Sequence, residues 1–185
     1  IAILIAVLAV IGIIIGIISG SYNGLVNQQE EVENKQSVIS VQLQRRADLI
    51  PNFVNTVKGY SAYEQKTYTA VTEARNAVAG AKTAGEQTKA AEQLDSAISV
   101  WVNAVTEAYP ELKANENYKA LQDELAGSEN RIATARKDYN DAAKAYNSSV
   151  RRFPKNIIAG MFGFEKAEYF EAQAGSESVP QVSFD

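Results

Sequence analysis

The first eighteen residues carry no polar side chain: Ile1 to Ile18 holds thirteen Ile, Leu or Val residues, three Ala and two Gly. About 20 apolar residues rising ~1.5 Å each span a ~30 Å hydrocarbon core, so the run reads as a transmembrane helix to which the rest of the chain is tethered. Each Ile, Leu or Val favours the bilayer by roughly 0.3–0.6 kcal/mol on the insertion scale, which sums to several kcal/mol with no charge opposing it. A secretory signal is the competing reading, and Ser19, Gly20 and Ser21 mimic a cleavage site. Its apolar region would be only about 7–15 residues long, so an uncleaved anchor is expected. The chain opens at Ile1 without an initiator Met, and a short segment is expected to precede the anchor.

The anchor places the protein in the cell membrane as a single-pass chain, with the lipid bilayer as its first partner. The first Lys or Arg after it is Lys35, preceded by Glu30, Glu31 and Glu33. Poverty of basic residues marks a translocated flank, so the soluble part is expected outside the cytoplasm.

The remainder, of a 185-residue chain, is enough for one domain of ordinary size. A net charge of −4 gives no footprint for nucleic acid, whose phosphates demand Lys and Arg. The chain has no Cys and no His, which removes disulfides, thiolate nucleophiles, the usual zinc sites and an imidazole base. No cofactor or metal is expected, and an enzyme is the least favoured class.

After the anchor, Leu25, Val32, Ile39, Arg46, Phe53 and Tyr60 recur every seven residues. Beside them run Gln29, Gln36, Leu43, Ile50 and Val57. Two such series make one stripe of an amphipathic helix, which should leave the membrane directly. Pro51 lies outside both series and predicts a kink rather than an end. Near Gly59 two readings stay open. Ser61 and Glu64 form an S-x-x-E cap for a new helix, whereas Val57, Tyr60, Glu64, Tyr68 and Val71 keep helical spacing. A break gives four up-and-down helices and continuity gives three.

Gly80 to Gly85 reads as a loop, followed by a helix with Ala91, Leu94, Ile98, Trp101, Val105 and Ala108 on its apolar side and Pro110 at its end. Asn115 or Asn117 is a candidate N-cap for the next. Tyr118, Leu121, Leu125, Ser128, Ile132, Ala135, Tyr139, Ala142 and Tyr146 then alternate in steps of three and four. This predicts a helix of roughly 55 Å in a left-handed bundle. Pro154 stops it. Ile157 to Phe164 is too short to span a membrane and is expected to be buried, Glu165 to Gln173 to form a helical turn or two, and Gly175 to Asp185 to be a tail. The expected fold is therefore all-α: an anchor at 1–20, an antiparallel up-and-down bundle of three to four long helices at 21–174, and a tail at 175–185.

The run from Val41 to Asn52 (VQLQRRADLIPN), then Thr56–Tyr60 (TVKGY), Tyr109–Asn115 (YPELKAN), Tyr139-Asn140 and Tyr146-Asn147 closely resemble the bacterial LemA family. The similarity runs from Tyr22-Asn23 to Tyr169-Phe170-Glu171. It implies an N-terminally anchored antiparallel helical bundle whose biochemical function is unsettled, and it marks Arg45, Arg46, Asp48 and Pro51 as family-motif residues. Gln36 stands where the family usually shows Trp, and Tyr63 where it often shows His.

Arg46 also stands out on physical grounds, because it interrupts the apolar series between Ile39 and Phe53. A guanidinium on that stripe needs a partner, since an unpaired buried charge costs several kcal/mol. Asp48 is too close along the helix, so Glu129 or Asp138 on the last long helix, with Tyr139 nearby, are the expected partners. Tyr139 and Tyr146 are expected in the core with their hydroxyls at its rim. In the anchor, Gly12, Gly16, Gly20 and Gly24 recur every four residues, a stripe along which helices approach closely in lipid. The function expected is a membrane-anchored structural or scaffolding protein acting through homo-oligomeric assembly. The alternative is a sensor or partner-binding bundle, with other membrane proteins as its partners.

Overall fold

The structure is a computed structural model and describes residues 1–57 and 65–171. The break expected near Gly59, the Ser61–Glu64 cap, Tyr63 and the tail at 175–185 lie outside the described residues. Among the described residues there are five α-helices and no strand: α1 (Ala2–Val57), α2 (Gln65–Gly80), α3 (Ala84–Ala108), α4 (Glu116–Arg151) and α5 (Lys155–Phe162), with a short 3-10 helix (Pro110–Ala114) before α4.

Helix α1 runs without a break through Gly20 and Gly24, so the apolar run and the amphipathic segment are one helix. Pro51 lies inside it, and α1 continues to Val57 although proline offers no N–H to the carbonyl of Ala47. The chain divides into two units. One combines Ile1–Val38 with Ala135–Tyr169, and the other is built chiefly from Ile39–Thr134.

In the second unit the seven-residue series becomes core: Ile39, Leu43, Ile50 and Phe53 from α1, with Leu94, Ile98 and Trp101 from α3, are all buried. The Phe53 ring meets Trp101 and Tyr118 edge-on, with centroids 5.7 and 5.5 Å away. Pro110 cannot extend α3 and opens the 3-10 turn, whose Leu112 is buried. The N-cap of α4 is Asn115, whose side-chain oxygen accepts from the Tyr118 N–H at 3.0 Å.

The α2–α3 connection is shorter than glycine positions suggested. Only Ala81, Lys82 and Thr83 separate the helices, and Gly85 lies inside α3. Thr83 and Glu86 form a capping box. The Thr83 hydroxyl accepts from the Glu86 N–H, and the Glu86 carboxylate accepts from the N–H groups of Lys82 and Thr83. Those backbone donors hold the Glu86 pKa below its ordinary value. The cap is therefore complete at neutral pH and weakens as acid protonates the carboxylate. Thr83→Ala is expected to lower stability by about 1 kcal/mol in chemical denaturation followed by circular dichroism.

In the first unit, Leu25 and Val32 of α1 are buried, as are Tyr139, Ala143 and Tyr146 of α4 and Ile158 and Ala159 of α5. Here Ala143 takes the place expected of Ala142, because the step after Tyr139 is four rather than three. The segment after α5 corrects another expectation. Gly163 adopts a left-handed conformation (φ 74°), which ends α5 and turns the chain back. Residues 164–171 then form no helix. The Asn147 amide takes both backbone groups of Ala167, donating to its carbonyl at 2.9 Å and accepting from its N–H at 2.8 Å, while the Tyr139 hydroxyl donates to the Glu168 carbonyl at 2.9 Å. These bonds stand in for helical ones and pin the segment as a strap along α4.

Candidate functional site

Arg46 comes from the middle of α1's buried face and is 8% exposed. Its Nη2 lies 2.8 Å from Asp95 Oδ1 on α3, and its Nη1 donates to Glu129 Oε2 on α4. One guanidinium thus ties three helices of the second unit together, and the triad carries a net charge of −1. The planar fork suits this because it presents two donors in fixed directions to two separate carboxylates. Of the partners expected from sequence, Glu129 is present; Asp138 lies nine residues further along α4, and the Tyr139 hydroxyl is engaged by Glu168. Asp95 went unrecognised, and its one signal is its position between Leu94 and Ile98 on the apolar edge of α3.

The guanidinium at the centre of this arrangement is not itself a reactive group. A guanidinium held by two carboxylates neither accepts a proton nor supplies a nucleophile. Among the described residues, no group of three or more Asp or Glu is placed to hold a metal ion. An open groove of about 670 Å³ between α2 and α3 is lined by Ala70, Ala74, Ala97 and the mixed charges of Glu73, Lys89 and Glu92.

The second candidate feature lies on the first half of α1. Ile1 to Ile17 is exposed throughout, and an 18-residue window there has mean hydropathy 3.1. This helix is long and apolar enough to cross a membrane. A Cβ placed on Gly12, Gly16 or Gly20 would meet nothing within 4 Å, whereas one on Gly24 would lie 3.7 Å from the Lys155 Nζ of the same chain. The glycine face is therefore open at three positions, not four.

On α4, burial pushes the Tyr139 and Tyr146 hydroxyls above their ordinary pKa. Glu168 adds to the shift at Tyr139, and Glu33 and Glu165 add to it at Tyr146. Both rings are buried.

The sequence pattern of the LemA family matches residues 35–184. The chain belongs to the LemA family. It is 28% identical to magnetosome protein MamQ 2 of Paramagnetospirillum magneticum, over 86% of this chain and 69% of that protein. It is 26% identical to magnetosome protein MamQ of Magnetospirillum gryphiswaldense over the same shares. Protein LemA of Metamycoplasma hominis is 28% identical over 81% of this chain and 68% of its own length.

The LemA-family motif around Arg46 splits into an inner and an outer face. Arg45, Asp48 and Pro51 are exposed, and Asp48 accepts from Gln44 at 2.9 Å and pairs with Arg75 at 3.4 Å. Such surface pairs are worth about 0–1 kcal/mol, and among these motif charges Arg46 is the buried one. Each of the LemA-like Tyr-Asn pairs on α4 supplies one residue that binds the strap, Tyr139 from the first and Asn147 from the second.

Proposed function

We propose that this LemA-family protein is a membrane-anchored scaffold that assembles with copies of itself through the N-terminal half of α1, with the helical bundle outside the cytoplasm. One observation carries the reading. The anchor bears an open small-residue face at Gly12, Gly16 and Gly20, and no side chain of the chain itself comes within 4 Å of a Cβ there. In lipid no hydrophobic drive joins helices, so close backbone approach along small residues supplies the packing energy. Because α1 is continuous to Val57, anchors that associate also align the segments that follow them. The basic-poor flank before Lys35 supports this orientation. Basic residues count toward topology only within about 15–20 residues of the membrane helix in sequence, so Arg151, Arg152 and Lys155 do not enter. Assembly as the mode of action also agrees with a bundle whose central charge cluster is structural.

Gly16→Leu is expected to lower the oligomer size seen by crosslinking in native membranes. A side chain at that position meets nothing in the chain itself, so the melting curve of the bundle should not change. An unaltered ladder, or no ladder in the parent protein, excludes assembly through this face.

A further inference from the structure

Outside the anchor and the α5 region, the described residues expose few large apolar side chains: Tyr22, Val38, Val41, Val100 and Tyr169 are 38–55% exposed. The turn into α5 and α5 itself are different. Phe153 is 76% exposed, Ile157 52%, Met161 68% and Phe162 53%. Ile157 and Met161 are one helical turn apart and share a face, while Ile158 and Ala159 point the other way and are buried. A short helix that is apolar on both sides has a second surface to satisfy.

The place of this helix in its unit supplies the occupant. The Phe162 ring lies edge-on to Tyr22 at 4.9 Å, the Phe164 ring does the same at 5.6 Å, and Lys155 Nζ lies beside Gly24. Tyr22 follows the apolar run by four residues, or ~6 Å of helix beyond Ile18. The headgroup layer on each side of the hydrocarbon is about 5–7 Å deep, so this contact falls within it if the run spans the bilayer. Arg151, Arg152 and Lys155 flank the apolar face with three positive charges. Aromatic and aliphatic groups at headgroup depth, bordered by Lys and Arg, are the composition of an interfacial helix on an anionic membrane.

We propose that α5 with Phe153 is a second membrane contact: Phe153, Ile157 and Met161 insert into the interfacial layer of the bilayer that α1 crosses, and Arg151, Arg152 and Lys155 engage anionic headgroups. The proposal rests on the membrane-spanning reading of α1 but not on self-assembly. It makes α5 a foot that holds the first unit against the membrane surface at a fixed depth.

The absence of Cys makes the test direct, since one introduced Cys takes one spin label. Full-length Met161→Cys, Leu8→Cys and Lys144→Cys proteins are labelled and reconstituted in phosphatidylcholine bilayers with phosphatidylglycerol. Relaxation by dissolved oxygen and by a water-soluble nickel chelate is then compared. The expected result is that the label at 161 favours oxygen over nickel severalfold more than the label at 144, and less than the label at 8. Replacing Arg151, Arg152 and Lys155 by Gln should bring the label at 161 toward the value at 144. Equal nickel access at 161 and 144 overturns the proposal, since it places α5 in water. Exclusion of both reagents at 161 also overturns it, because the face is then covered by protein. Nickel access at 8 sinks the membrane-spanning reading and this proposal together, an outcome distinguishable from the first two.

Discussion

Phe53→Ala is expected to destabilise the protein by about 3–5 kcal/mol, the range for removing a fully buried aromatic ring. Phe53 is 1% exposed, and its ring sits between Trp101 of α3 and Tyr118 of α4. Deleting it removes two edge-to-face contacts worth roughly 0.5–1.5 kcal/mol each and leaves a cavity between elements from three parts of the sequence. Collapse into that cavity is opposed by a polar anchor, because the Tyr118 hydroxyl shares a hydrogen bond with Thr106 at 2.7 Å. Trp101 is the only tryptophan, so its fluorescence reports this cluster directly. Denaturant titration followed by that signal should show an earlier midpoint, with Phe53→Leu between the parent and Phe53→Ala. A change below about 1 kcal/mol would mean that the ring is not the core residue its burial indicates.

The second unit was largely legible in the sequence because its positions repeat. Seven-residue series on α1 and alternating steps of three and four on α4 mark buried faces whatever the partner helix, so Ile39, Leu43, Phe53, Leu125 and Ile132 were identifiable in advance. Caps were legible where a side chain announced them, as at Asn115, and misread where glycine was weighed above a T-x-x-E pattern, as at Thr83. What periodicity could not show is which residue answers another across space. Asp95 lies on a different helix, 49 positions from Arg46, and no repeat links the two. The strap at residues 164–171 was missed for a related reason. The backbone groups of Ala167 and Glu168 bond to Asn147 and Tyr139, so a segment with helical composition is held out of a helix by groups 20 and 29 positions away in sequence. The expectation that Ile157 to Phe164 would be buried holds for Ile158 and Ala159 but not for Ile157, Met161 and Phe162, because hydrophobicity alone does not say which face of a short helix meets the rest of the fold.

Arg46→Ala is expected to cost about 1–4 kcal/mol, and the geometry says why the number falls below that of a fully buried pair. The guanidinium side chain is 9% exposed, but its partners are wetter, Asp95 at 22% and Glu129 at 39%. Once orphaned, both carboxylates recover some hydration. Their mutual repulsion and the volume lost from the stripe between Ile39 and Phe53 remain. Arg46→Leu keeps that volume and should cost less than Arg46→Ala, because only the orphaned carboxylates are left to oppose folding. Adding Asp95→Asn to Arg46→Leu removes the less hydrated of the two and should recover stability, although Asp95→Asn alone costs stability in the parent. That reversal of sign, measured in a double-mutant cycle by chemical denaturation, is the signature of a charge triad that sets helix register. Additive effects of the two substitutions would show instead that Arg46 and Asp95 contribute independently, leaving Glu129 and the packing of the alkyl stem to hold the arginine.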